Sequence, residues 1–378
     1  MSTAETLISD MIGKSAAMDA RKTDTVVAPV DMRWFGRSVS FGSQGAEVVW
    51  GNSGTQSPIY FTTPMPLKLH AFRQVCTKLG TALWQGGAQR SLPVEFLLVL
   101  PNEIVGSNLN YATETYANIF PKRRWLWREY AEEPQEGVSV DSIRAVMDGA
   151  YPAISNTELL QNASEMIENM DYRLVRPHLT ADEMNVRIAL RNVGEHYAVG
   201  VYIGNSEIGT SKIRILPFIQ RHSCTNSIVS VDGGVELVHR GDIHALRVQA
   251  IAAMSQSLHA TGAMLERMVA AEKELIPNFQ SVLRGLSLQY GWNEEISTAV
   301  ILGTEAQTTR AGVVNGITYA AHKVLNGTAQ ADMEILGGAI LAAPNSLFER
   351  AARLSERTTE RSWRRSAATS APVVELEN

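Results

Sequence analysis

Residues 197–226 read YAVGVYIGNSEIGTSKIRILPFIQRHSCTN, and this stretch decides the fold. Two apolar, β-branched segments, 197–203 and 212–220, flank a short polar run holding Gly204, Asn205 and Gly209. That pattern predicts a β-hairpin. Polar residues crowd its turn (Asn205, Ser206, Glu207) and the end of its second arm (Arg221, Cys224, Thr225, Asn226). Asn205, Ser206, Glu207, Arg221 and Asn226 are therefore candidates for a functional turn. Paired arms put the two groups at opposite ends of the hairpin, which argues against one compact site. Turn chemistry and strand-end capping account for the same residues without any function.

Working outward, the hairpin sits in a meander of strand-like segments at 172–176, 185–190, 197–203, 213–218, 227–231 and 235–239. At Asp242 the apolar period switches from two to 3.6. Ile243, Leu246, Ala250, Met254, Leu258, Leu265, Met268 and Leu275 make one stripe down a long helix over 242–276, which ends before Pro277. Helices follow at 279–290, 294–302, 305–325, 331–341 and 345–365, with Asn293 starting the second of them. Toward the N-terminus the pattern predicts a helix over 5–18, strands at 39–41, 48–50 and 59–61, and a helix over 64–80 stopped by Gly80. Periodicity leaves 94–120 open between buried strand and helix. Strands are expected at 124–130 and 143–147, and a helix over 156–170 with Asn156 as N-cap. Strands first and helices afterwards argue α+β, a mainly antiparallel sheet of meander and hairpins packed by the long helix and a helical C-terminal part. The expected organisation is an N-terminal helix and linker (1–30), one large domain (31–345), a last helix (346–365) and a disordered tail (366–378).

The 378 residues carry a net charge of −5, with 45% apolar and 19% charged side chains. A mildly acidic chain does not coat nucleic acid through its overall field, so any such contact must be a local basic patch. No run approaches the ~20 apolar residues of a membrane span, and the N-terminus lacks the basic and apolar regions of a signal peptide. No membrane association is expected. The two cysteines, Cys76 and Cys224, fit a reducing, cytoplasmic setting. The P-loop, dinucleotide-binding, zinc-protease, nucleophile-elbow and Cys-x-x-Cys signatures are missing. His222 with Cys224, and His239 with His244, are loose pairs rather than a four-ligand zinc spacing. Neither a metal nor a cofactor is expected.

Two segments concentrate positive charge. Lys122-Arg123-Arg124-Trp125-Leu126-Trp127-Arg128 places cations and indoles together. On a strand, Arg124, Leu126 and Arg128 share one face, and Arg123, Trp125 and Trp127 the other. Rings that stack on bases beside cations that hold phosphates are what a single-stranded nucleic-acid platform needs. The alternative is that Trp125 and Trp127 are core residues with the cations at the rim. In the last helix Arg350, Arg353, Arg357, Arg361 and Arg364 recur at spacings of 3, 4, 4 and 3 and line one face. Such a stripe suits a phosphate backbone, a partner protein, or solvent with Glu349–Arg353 and Glu360–Arg364 pairs.

Three separated stretches carry a family resemblance. They are 143-IRAVMDGAYPAISNTELL-160, the hairpin run with 204-GNSEIG-209 and 221-RHSCTN-226, and 315-NGITYAAH-322 followed by 334-EILGGAIL-341. Together they resemble an uncharacterised family of phages, plasmids and other mobile elements, usually called phage/plasmid-like protein, over residues 60–345. The chain departs from it at Ser227, where the family pattern prefers Gly after Asn. The resemblance transfers no catalytic residues. It implies a mobile-element protein in the bacterial cytoplasm, engaged in DNA metabolism. The leading expectation is a non-catalytic single-stranded DNA binder acting in strand annealing or recombination, working as a homo-oligomer. A structural or host-interaction protein acting through protein contacts is the alternative. A third reading is an enzyme with a dispersed site drawn from Glu207, Arg221, Cys224 and His239.

Overall fold

The structure, a computed structural model, describes residues 3–42, 64–85, 94–131, 141–193, 196–221, 226–325 and 327–369. The chain begins with helix α1 (Thr3–Asp19), strand β1 (Lys22–Val27), the hairpin β2 (Met32–Phe35) and β3 (Ser38–Phe41), and the short β4 (Met65–Pro66). Helices α2 (Leu69–Gln85), α3 (Val94–Val99) and α4 (Asn102–Ile119) follow, then strands β5 (Trp125–Ala131) and β6 (Asp141–Asp148). The open segment 94–120 is thus helical. It breaks at Pro101, because the residue before a proline is driven out of the helical region. The strands expected at 48–50 and 59–61 lie outside the described residues. The helix expected from Pro64 starts at Leu69, because Met65 pairs with Val39 and Pro66 with Ser38. Gly80 does not stop it. Val75, Cys76 and Leu79 are buried around it, and this packing overrides a weak local preference.

Helix α5 (Asn156–Met166) comes next. Its N-cap is Ser155, whose Oγ accepts from Glu158 N at 3.1 Å, so Asn156 is the first helical residue rather than the cap. Strands β7 (Arg173–Leu174), β8 (His178–Leu179), β9 (Glu183–Val193), β10 (Tyr197–Ser206), β11 (Ile213–Arg221), β12 (Ser227–Val229) and β13 (Val235–Leu237) then form a seven-stranded sheet. Its order is β12-β11-β10-β9-β7, with β13 also on β11 and β8 on β9, and its ladders are antiparallel. The predicted hairpin is β10–β11, with Tyr197 opposite Arg221 and Gly204 opposite Arg214.

Every residue of β10 is buried. The reason is that helices cover both faces of the sheet. Val201, Ile203, Ile213 and Ile215 pack with Ile8 and Met11 of α1, Leu159 of α5, and Leu246, Ala250 and Met254 of α6 (Ile243–Ala271). On the other face Tyr202, Leu216 and Phe218 meet Ala331. A central strand buried on both sides reads as a continuous apolar run, as 197–203 does. The bulge between Val199 and Gly200 brings the backbones so close that a Cβ at Gly200 would lie 1.9 Å from the Ile188 carbonyl oxygen.

Helices α7 (Phe279–Tyr290), α8 (Glu294–Gly303), α9 (Arg310–Val324), α10 (Gly327–Ala342) and α11 (Asn345–Thr369) complete the chain. Helix α9 starts at Arg310 rather than 305, because Glu305 and Ala306 adopt left-handed backbone and Thr309 caps the helix. Met268 of α6, Leu286 of α7, Val300 of α8, Ile317 of α9, Ile340 of α10 and Phe348 of α11 share one core. The α+β expectation holds: strands dominate the first two-thirds and helices the C-terminal part.

Two details of the expected organisation change. Segment 19–30 is not a linker. It supplies β1, which pairs with β5 along Lys22↔Tyr130 to Val27↔Trp125. The last helix runs on to Thr369, and 370–378 lie outside the described residues. The β1-β5-β6 sheet joins the β2-β3-β4 sheet through a parallel bridge, Leu67↔Ile143, and both pack on α2 and α4.

Candidate functional site

The Trp/Arg segment falls on β5, the central strand of the β1-β5-β6 sheet. The face alternation read from the sequence is observed, but both faces are covered. Trp125 and Trp127 are 1% and 0% exposed. Trp127 packs edge-on to Phe41 at 5.1 Å between ring centres, and Trp125 edge-on to Tyr116 at 5.1 Å. The indoles belong to the N-terminal core, so they are not a base-stacking platform. That expectation is corrected, and the physical reason is their large apolar area. Lys122, Arg123 and Arg124 precede the strand and are exposed.

Arg128, on the other face, is buried as well and is also corrected as a phosphate ligand. Its Nε and Nη2 donate to the Asp24 carboxylate at 2.8 and 2.6 Å, and its Nη1 donates to Glu207 Oε2 at 2.9 Å. Lys22 Nζ lies 3.0 Å from the same Glu207 oxygen. Glu207 Oε1 accepts from the Asn156 backbone N–H at 2.7 Å. Asn205 Nδ2 donates to the Ile154 carbonyl at 3.0 Å and to Asn156 Oδ1 at 2.9 Å, and Ser206 Oγ accepts from Thr210 N at 2.9 Å. The residues expected at an open functional turn are therefore buried anchors. They tie the hairpin to the start of α5 and to β1 and β5. Arg221 and Asn226 lie at the far end, where Asn226 is buried and Arg221 half-buried. His222, Cys224 and Thr225 lie outside the described residues.

Above this anchor a cleft of about 1120 Å³ opens between α2, β6, the hairpin turn and the segment after β13. Arg73, Lys78, Arg123, Lys212, Arg214 and Arg240 line it, and Asp148 is the carboxylate among its lining residues. Helix α2 is fixed there by Gln74. Its Nε2 donates to the Ile208 carbonyl at 3.0 Å and its Oε1 accepts from Val146 N at 2.6 Å. Some of the cations are engaged already. Arg123 pairs with Asp148 at 3.3 Å, Lys212 with Glu236 at 2.8 Å, and Arg214 with Glu236 at 3.0 Å and Asp332 at 2.5 Å. Arg73 and Arg240 are exposed and make no ion pair among the described residues. Lys78 is half-buried, 5.8 Å from the Trp125 ring centre. Burial, reinforced by Arg123, holds its ammonium below the usual lysine value against the pull of Asp148.

At the cleft wall the rings of Tyr151 and His239 stack at 4.9 Å and 19°. His239 Nδ1 lies 3.2 Å from the Pro152 carbonyl. That contact assigns the ring proton to Nδ1 and leaves Nε2 as an acceptor. Burial pulls the imidazole below its usual value. The Pro152 bond opposes this, and the neighbouring Arg128 charge adds to it.

A second polar cluster is sealed inside the opposite face of the sheet. Arg187, 1% exposed, pairs with Glu334, 0% exposed, at 2.6 Å. His322 lies beside them. Its Nε2 accepts from Ser227 N at 3.1 Å and stands 3.5 Å from Glu334 Oε1, and Arg176 contacts its Nδ1. Burial, with Arg176 and Arg187 adding to it, pushes His322 down to about 3, so it is neutral.

On α11, Arg350, Arg353 and Arg357 are exposed, and Arg353 has an exposed Glu349 partner at 3.9 Å. The side chains of Arg361 and Arg364 lie outside the described residues. Leu347, Phe348, Ala351 and Ala352 bury the opposite face against α7, where a Cβ on Gly285 would lie 1.8 Å from the Ala351 carbonyl oxygen. The arginine stripe and the cleft are separate surfaces. Among the described residues no group of His, Cys, Asp and Glu is arranged to hold a metal, and no helix is long and apolar enough to cross a membrane.

Sequence reasoning picked out Arg123 of the cleft, and weighed His239 in a loose metal-ligand pair with His244 and in a dispersed enzyme site. Arg73, Lys78, Lys212, Arg214 and Arg240 come from three separate segments and form no local run. The one local signal was Lys212 and Arg214 alternating on the hairpin's second arm. Comparison with protein-family models, curated proteins and solved structures finds no match for the chain.

Proposed function

We propose that this protein binds single-stranded DNA, and that it does so in the basic cleft rather than on the tryptophans of β5. The observation that carries this reading is the convergence of Arg73, Lys78, Arg123, Lys212, Arg214 and Arg240 on one cleft of a chain whose net charge is −5. Local positive charge against a negative whole is what steers a phosphate backbone to one place. The reading is non-catalytic: the cleft holds a strand and leaves its bonds intact. The resemblance to proteins of mobile elements fits a role in strand annealing or recombination, with self-association into a ring or filament. Light scattering with and without a strand checks the assembly.

The test is fluorescence anisotropy of a labelled single-stranded oligonucleotide at several salt concentrations, with duplex as competitor. With about four phosphates neutralised, affinity should fall roughly 50-fold between 50 and 200 mM salt, from a slope of about −0.7 per phosphate. Salt-independent binding, or none at low salt, overturns the reading. A second reading, a partner-docking helix, is supported by the exposed Arg350, Arg353 and Arg357 on α11. It is favoured if charge reversal there abolishes a protein complex and leaves strand affinity intact.

A further inference from the structure

The cleft contains a feature that phosphate binding does not use. Tyr151 Oη and His239 Nε2 are both buried, and neither has a hydrogen-bond partner among the described residues. His239 is 7% exposed and its ring stacks on Tyr151, so the two orphan atoms lie on one stacked pair in the cleft wall. Leaving a buried polar atom unmade costs about 1–3 kcal/mol, and native structures hold few such atoms without a reason. Here the two are complementary. Tyr151 offers a donor. His239, with its proton on Nδ1 facing Pro152, offers an acceptor. Burial, with the nearby Arg128 adding to it, disfavours a second proton on this imidazole. Asp24 and Glu207 already engage Arg128.

An acceptor that resists protonation does not suit a fully ionised phosphate. It selects a ligand that presents a donor beside an acceptor. Nucleobase edges do so, because ring nitrogens or carbonyls sit next to N–H groups. A flat, stacked wall also suits a flat ligand. Cations that hold phosphates line the same cleft at Arg73, Lys212 and Arg240.

We propose that Tyr151 and His239 form a nucleobase subsite in the cleft, so that a bound strand places one unpaired base against them while its phosphates lie on the surrounding cations. This deepens the single-strand reading and rests on it. It also supplies a cause for strand selectivity, since a paired base cannot offer its Watson–Crick edge or leave the stack to reach the wall. The turn crosses Tyr151 at Gly209, whose φ is +73° and where a Cβ would stand 3.8 Å from the ring. Entry of a base requires the turn or the ring to shift there.

The experiment compares a labelled single-stranded oligodeoxynucleotide with an all-abasic oligomer of the same length, using the full chain and Tyr151→Phe. A melting curve of the variant is taken alongside. The wild type should prefer the base-bearing strand by roughly tenfold or more, in line with what one stacked and hydrogen-bonded base supplies. Tyr151→Phe should lose about three- to tenfold on that strand and nothing on the abasic one, with an unchanged or higher melting temperature because the hydroxyl it removes has no partner. A mononucleotide that displaces the strand as effectively as a second strand keeps the subsite and assigns its base to a free nucleotide. Equal affinity for the two oligomers in the wild type overturns the subsite while the basic cleft stands. A variant that weakens both oligomers equally also overturns it. Failure of either oligomer to bind overturns the cleft reading and the subsite together.

Discussion

Two buried arginines in this protein look alike in sequence and differ in their surroundings. Arg128 joins β1, β5 and the hairpin turn. It faces two carboxylates, Asp24 and Glu207, of which Asp24 is 35% exposed, and Lys22 shares Glu207. Arg187 joins β9 to α10 and pairs with Glu334, with both side chains closed to solvent. The first pair stands at the base of a cleft, where water relaxes its field. The second lies under helices, where a lost partner leaves a bare charge in a poor dielectric. Burial of a charge therefore means different things in the two halves. Beneath the cleft it holds up a surface that can bind. Beneath α10 it fixes how a helix sits on a sheet.

The largest expected effect comes from the sealed site. Arg187→Met should cost about 3–5 kcal/mol, because the buried Glu334 loses its ion-pair partner and keeps the weaker Gln330 amide bond at 3.0 Å. The further change Glu334→Leu should recover most of that loss. Urea denaturation of the two variants checks it, and additive losses would show that the pair does not act as a unit. Arg128→Met should cost less, about 2–3 kcal/mol, since Glu207 keeps Lys22 and the Asn156 N–H. It should also loosen the turn and weaken strand binding. Equal costs at the two sites would break the contrast.

The pH dependence sharpens it. His322 titrates at about 3 in the fold, below the ~6.5 of an unfolded histidine. Between these values the unfolded chain binds a proton that the folded chain refuses. Stability from this group is therefore fully present above ~6.5 and is lost as pH falls toward 3, at up to about 1.4 kcal/mol per pH unit. Glu334, its carboxyl raised by burial against the pull of Arg187, works in the opposite sense, so the readout is a difference. The slope of unfolding free energy against pH should be shallower in His322→Gln than in the wild type. Parallel slopes would mean that this histidine is not sealed. The smallest effect on folding belongs to the open cleft. Arg240→Gln should leave stability within about 0.5 kcal/mol and reduce the salt slope of strand binding by about 0.7. An unchanged slope removes Arg240 from the interface.

Local structure was readable where one residue type settles it. The hairpin, the change of period at Asp242, and the Asn293 cap, whose Oδ1 accepts from Ile296 N at 2.8 Å, are all present. Segment 94–120 was not readable, because apolar runs of that length suit strand and helix equally. For β5 the alternation was legible and its meaning was not. A period of two says which residues share a face, and the cover of each face comes from α2, α4 and the hairpin turn, far away in sequence. The cleft was invisible for the same reason, since Arg73 and Arg240 meet only once the two sheets are docked.

The pairing of β1 also sets an order of events in synthesis. Asp24 meets Arg128 across 104 positions of chain, and Ser15 of α1 meets Thr157 across 142. A ribosome releasing residues one by one exposes the first strand and helix long before their neighbours exist. Those segments wait, unpaired, until β5 and α5 emerge. The earliest part of the polypeptide is thus among the last to settle, and a nascent chain halted before residue 160 should present it to chaperones and proteases alike.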